Sequence, residues 1–123
     1  MPSLLICGDA VAFPVLFRRW MLDAGFDTVT QARTAGEAVS KAREAQPDVI
    51  VVDHLLPDAT SEHLVPRLRA VAPESRLLLI SGMPGVTLAE FADTAGVEAH
   101  LPRAATAEEM QEAVLALLSA EAR

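Results

Sequence analysis

The stretch DVIVVDHLLP, residues 48–57, decides how the chain is read. Val49, Ile50, Val51 and Val52 form an uninterrupted apolar run, β-branched and too short for a helix. Such a run reads as a strand buried on both faces, as in a parallel sheet between helices. It stops at Asp53, and His54, Leu55, Leu56 and Pro57 break its pattern. Open α/β sheets place their chemistry in the crevice at the carboxyl ends of the strands. A carboxylate ending the central strand is therefore the candidate working group.

The chain around this stretch has 123 residues, 51% hydrophobic and 22% charged, which predicts one domain over residues 1–123 with its own core. The net charge of −7 argues against direct nucleic-acid binding, which needs clustered Lys and Arg. Cys7, the single cysteine, lies in the apolar run LLIC and is expected to be buried and inert. One cysteine builds no disulfide framework, so nothing calls for an oxidising compartment. The first apolar run is stopped by Gly8-Asp9, so neither a signal peptide nor a membrane span is predicted, and the cytoplasm is the expected location.

In chain order, residues 4–7 read as a first strand and residues 13–25 as a helix, with Pro14 in its first turn and Gly25 as its cap. Leu16, Trp20 and either Phe13 or Phe17 should face the sheet, Trp20 as a core anchor. Residues 27–32 suit a short or edge strand. Thr34-Ala35-Gly36-Glu37 has the form of a capping box and opens a helix to about Ala45, where Pro47 stops it. After the central strand, Leu64, Leu68 and Val71 fall at helical spacing over residues 61–71. Pro66 inside that segment predicts either a late start or a distorted first turn. Residues 76–82 are another apolar strand. A second box at Thr87–Glu90 opens a short helix that Gly96 ends, and residues 97–101 form the last strand. A third box, Thr106 to Glu109, starts a final helix with Met110, Val114, Leu117 and Leu118 on one face. Five strand–helix pairs with short connections predict a five-stranded parallel sheet covered on both faces.

Strands one and three should be neighbours at the sheet's centre, which brings Asp9 and Asp53 together. Close carboxylates repel and are offset by a cation, and hard oxygen donors suit Mg²⁺. Ser81, ending the fourth strand, adds a hydroxyl, and Arg103, just after the fifth, adds a fixed positive charge. A carboxylate so surrounded can accept a phosphoryl group, because its partners neutralise the equatorial oxygens. The same residues are also compatible with a structural ion-pair cluster.

Asp53 with Pro57 four residues on, the segment GVEAHLPR at 96–103 and the helix opening AATAEE at 104–109 carry a family resemblance. Over essentially its full length the chain resembles the receiver domain of two-component response regulators, and its tail LPRAATAEE is most similar to receivers that precede a LuxR-type output domain. The resemblance implies a chemotaxis-regulator-like, flavodoxin-like three-layer sandwich with strand order 2-1-3-4-5. It implies that Asp53 is phosphorylated by a histidine kinase, with Asp9, Asp53 and the Leu55 backbone carbonyl holding Mg²⁺. Ser81 matches the switch hydroxyl, His100 the aromatic switch position, and Arg103 the family's lysine. No enzyme activity of its own is implied. The implied partners are the kinase and an output domain or downstream protein, and a homodimer is left open.

The chain departs from the family pattern at four places. Gly8-Asp9 replaces two adjacent acids, which should weaken Mg²⁺ binding. Arg103 is a planar fork where lysine is a compact point charge. Ala104 replaces a proline, and Ser61 stands where glycine is common. Two readings follow: a receiver switched by phosphorylation, and a pseudo-receiver that binds partners without it. The haloacid-type phosphatase pattern needs a second acid two residues after the first, and Val11 stands there. Flavin binding needs a phosphate loop that GDAVAFP does not offer. His54 and His63 lack metal-ligand spacing, Arg67, Arg69 and Arg76 read as a solvated face, and Glu108, Glu109 and Glu112 suit a helix N-terminus.

Overall fold

Val49–Asp53 forms β3, the middle strand of the computed structural model. The structure describes residues 3–8, 12–26, 28–53, 58, 60–81, 90, 96–102 and 105–121, without the side chains of 12–17, 61 and 119–121. The remaining elements are β1 (Ser3–Cys7), α1 (Ala12–Asp23), β2 (Thr28–Ala32), α2 (Ala35–Ala45), α3 (Ser61–Val71), β4 (Arg76–Ser81), β5 (Ala99–Pro102) and α4 (Ala107–Glu121). All strand pairs are parallel and the order is β2-β1-β3-β4-β5, the expected flavodoxin-like arrangement.

The period-2 alternation of the strands splits the core into two layers. Leu5, Cys7, Ile50, Val52 and Leu77 pack against Ala38 and Val39 of α2 and Leu64, Val65 and Leu68 of α3. Leu4, Ile6, Val49, Val51, Leu78 and Ile80 point the other way, onto Met21 of α1 and Met110, Val114 and Leu117 of α4. Each such side chain fully removed from water contributes about 1.5–3 kcal/mol. Trp20 is half-buried against the second layer, in keeping with an anchoring role, and its carbonyl accepts the Gln111 side-chain amide at 2.7 Å. The expected sheet-facing side chains of Phe13, Leu16 and Phe17 lie outside the described residues.

The helix ends are tied as their sequences dictate. Gly25, at φ 107°, closes α1 with a Schellman pair: Gly25 N–H donates to Leu22 O and Phe26 N–H to Met21 O, each at 3.1 Å. In the box at α2, Glu37 N–H donates to Thr34 Oγ1 and Arg33 N–H to Glu37 Oε1. The box at α4 closes the same way through Thr106 and Glu109. At the far end of α2, Gln46 adopts a left-handed φ of 47°, and its side-chain amide donates to Val71 O at 2.7 Å, joining α2 to α3. The box expected at Thr87–Glu90 lies outside the described residues apart from Glu90, as does the stretch before Gly96, whose own φ is 77°.

For α3 the structure decides between the two expected alternatives, and the last strand departs from its expected start. α3 does not start late: it begins at Ser61 and runs through Pro66, and its first turn opens with a tight bond from His63 N–H to Thr60 O at 3.1 Å. Pro66 is tolerated because it lies on the exposed face, where water can reach the carbonyl it leaves unpaired. The last strand starts at Ala99 rather than Val97. Glu98 Oε2 takes the Leu77 N–H at 2.8 Å, so a side chain stands where the ladder would begin.

Arg69 organises that corner. Its guanidinium sits 2.6 Å from Glu98 and donates to Ser75 O at 3.1 Å and Gly96 O at 2.8 Å, tying α3 to the start of β5. Arg69→Ala is expected to lower stability by about 1–2 kcal/mol, because charge-assisted bonds to a partly buried carboxylate are lost together. Arg69→Lys should recover only part, since an ammonium cannot reproduce the fork. Urea midpoints check this; an unchanged midpoint for the alanine variant would show the network to be energetically idle.

Candidate functional site

β3 delivers Asp53 to the carboxyl edge of the sheet, where the apolar run gives way to a half-buried carboxylate. β4 brings Ser81 to the same edge. Asp53 pairs with Ile80, so Ser81 stands one residue beyond it on the adjacent strand, and it is 4% exposed. On the other side, Cys7 pairs with Val52, which places Gly8 level with Asp53 at the end of β1. The expected meeting of strands one, three and four at one crevice is thus the observed topology.

His100 pairs with Leu79, and Pro102 with Ser81. His100 and Ser81 therefore share one face of the sheet as diagonal neighbours on adjacent strands. His100 is exposed. Asp9, Leu55 and Arg103, three further expected site residues, lie outside the described residues, as do His54, Pro57 and Ala104. His63 is exposed on α3, as expected for a solvated histidine, whereas Arg69 is held in the ion pair described above rather than on a free basic face.

Around the crevice, several polar contacts fix the backbone. Gly8 N–H donates to Ala32 O at 2.9 Å, and the Gln31 side-chain amide donates to Gly8 O at 3.3 Å. The position where a second acid would stand therefore contributes backbone only. Cys7, fully enclosed in the core, has its thiol pushed up to about 12, mainly by burial, with Glu37 adding and Lys41 opposing. Lys41 Nζ donates to Gln31 O at 2.5 Å and pairs with Glu37 at 3.6 Å on the exposed flank of α2.

Asp58, five residues after Asp53, was not apparent from the sequence. Its Oδ1 accepts Ala35 N–H at 2.7 Å and its Oδ2 accepts Gly36 N–H at 3.1 Å, at the start of α2. Those two bonds, Ala35 first, hold its carboxyl below the usual aspartate range. No local spacing announces the contact, because the partners are 22 and 23 residues apart.

A doubly wound parallel sheet with a carboxylate and a buried hydroxyl on neighbouring strand ends defines the class of protein. The family model described as the response regulator receiver domain matches residues 4–115. The photosynthetic apparatus regulatory protein RegA of Rhodobacter capsulatus is 31% identical over 115 residues, 93% of this chain and 61% of RegA. The chemotaxis protein CheY of Listeria monocytogenes is 28% identical over 83 residues, 68% of this chain and 70% of CheY. A LuxR-family two-component response regulator from Aurantimonas superposes with a TM-score of 0.87 at 25% identity, covering 96% of this chain and 85% of that one. The chain belongs to the response regulator receiver domain family.

Among the described residues, no group of three His, Cys, Asp or Glu side chains could hold a metal ion, and no helix is long and apolar enough to cross a membrane.

Proposed function

We propose that residues 1–123 act as a cytoplasmic receiver that takes a phosphoryl group on the Asp53 carboxylate from the phosphohistidine of a partner histidine kinase. One Asp53 oxygen attacks phosphorus, the phosphorus–nitrogen bond breaks, and the departing imidazole takes up a proton. The observation that carries this reading is the register: Asp53 and Ser81 end adjacent parallel strands one residue apart, at the edge where doubly wound sheets do their chemistry.

The donor set suits Mg²⁺, which is held through one or two carboxylates together with waters and phosphate oxygens. Asp9 and Asp53 would hold it, with the Leu55 carbonyl as a further oxygen, and when bound it neutralises charge on the transferring group. Gly8 adds no side-chain oxygen, so a weaker affinity is expected than with paired acids. Arg103 supplies fixed positive charge beside the phosphoryl oxygens. Ser81 then turns its hydroxyl toward the phosphoryl group and His100 follows it inward. The population shifts between two packings of the face built from β5 and the flanking helices. An output domain or downstream protein reads that face.

Incubation with acetyl phosphate and Mg²⁺, followed by intact-mass measurement, tests the proposal. A gain of one phosphoryl group, lost completely in Asp53→Asn, is the expected result. No gain with any donor or kinase would leave a phosphorylation-independent interaction module in its place.

A further inference from the structure

We propose that Asp58 is a positioning residue for phosphoryl transfer: by forking onto the first two amides of α2 it fixes the backbone five residues after Asp53. The inference rests on the reading of Asp53 as phosphoacceptor and extends it to a residue outside the crevice.

The amides at the start of α2 make the case. A helix leaves its first N–H groups without intrahelical partners, and a local cap ordinarily satisfies one of them. Here Thr34 Oγ1 takes the Glu37 amide, while Ala38 N–H already bonds Thr34 O within the helix. The Ala35 and Gly36 amides remain, and both go to the two oxygens of a single carboxylate from a distant loop. Every N–H of the first turn is thereby satisfied, two of them by Asp58.

For the helix alone this arrangement is unnecessary. Asp58 is exposed, so water could serve the same amides. The two-point contact does something water cannot: it restrains the orientation as well as the position of the residue bearing it. Asp53 is locked by its pairing with Ile80, and only residues 54–57 separate it from Asp58. Asp53 is thus fixed by the sheet and Asp58 by α2. Small errors in placing reacting groups are costly; a shift of about 1 Å can cost on the order of 10²-fold in rate.

Arg67 on α3 contributes a favourable charge toward Asp58, and the negative carboxylate also suits the positive end of the α2 dipole. Asparagine at this position keeps one acceptor oxygen but turns an NH₂ donor toward a donor amide. It can therefore hold only one of the two bonds.

The test compares initial rates of labelling by acetyl phosphate with Mg²⁺, read by intact mass, for wild type, Asp58→Ala, Asp58→Asn and Thr34→Ala. Thr34→Ala removes a cap from the same helix end without touching the loop, so it reports what loosening α2 does by itself. We expect Asp58→Ala to label about tenfold more slowly, Asp58→Asn to fall between it and wild type, and Thr34→Ala to label as wild type does. Far-ultraviolet circular dichroism confirms that each variant is folded; should the alanine variant unfold, the asparagine variant carries the comparison. Equal rates for wild type and the Asp58 variants overturn the inference while leaving Asp53 as phosphoacceptor. Equal slowing by Thr34→Ala also overturns it, by assigning the effect to helix stability. Failure of wild type itself to label removes the phosphoacceptor reading, and this inference with it.

Discussion

Leu78→Ala is expected to reduce the free energy of unfolding by about 3–4 kcal/mol, the middle of the range for leucine truncation in a packed core. Leu78 is fully buried on β4, in register with Val51 on one side and Ala99 on the other. Its side chain belongs to the layer closed by Met110 and Val114 of α4. The backbone around the site cannot collapse to fill a void, because both neighbouring strands hold it in the ladder. The lost transfer energy is therefore joined by a cavity term. Domains of this size have only about 5–15 kcal/mol to lose. The melting temperature should fall by roughly 10–15 °C, and the urea midpoint in proportion. Leu115→Ala, at a position 40% exposed on α4, should change stability by no more than about 0.5 kcal/mol. A small loss at Leu78 would mean that the α4 layer is not closed as described.

What could be read in the chain beforehand follows the range of the interactions involved. The runs at 49–52 and 76–80 announce buried parallel strands because burial on both faces is a local compositional demand. The boxes at Thr34 and Thr106 are legible because cap and partner are three residues apart. From strands alternating with helices the sheet follows almost by topology, and the sheet then delivers Asp53 and Ser81 to one edge. The sharing of one face by His100 and Ser81 needed the register between β4 and β5, which the sequence does not spell out.

The contacts with no local signature all cross long stretches of chain. Asp58 reaches α2 from the loop after β3, and Gln46 reaches the end of α3. Glu98 borrows an amide from β4 and so shifts the start of β5 by two residues. Nothing within ten residues of any of these side chains signals its partner. Gly8 illustrates the converse case. Its lack of an acid is plain in the sequence, but only the structure shows the Gln31 side chain bonded to its carbonyl. Arg69 lies in an ion pair rather than on a solvated face, because charge spacing on a helix does not reveal a carboxylate arriving from just ahead of β5.

Alkaline pH is expected to destabilise the fold through one thiol. Cys7 is enclosed between Ala32 of β2 and Val52 of β3, and burial holds its thiol neutral to about 12, against an ordinary value of 9.0. The unfolded chain releases this proton first, so between about pH 9 and pH 12 the native state binds more protons than the unfolded state. Stability therefore falls as pH rises across that window and is fully present below it. At pH 11 the loss should reach about 2–3 kcal/mol, taking 1.36 kcal/mol per pH unit. Few other groups confuse the measurement: the chain has no tyrosine, and Lys41 is its single lysine. Lys41 and Glu37 are the charged groups that act on the thiol, and their own pairing is exposed and worth little. Cys7→Ala should cost about 1 kcal/mol at pH 8 through the lost sulfur, yet keep most of its remaining stability at pH 11. Urea midpoints for both proteins at the two pH values decide the matter. Parallel losses in wild type and Cys7→Ala would move the cause of alkaline instability away from the end of β1.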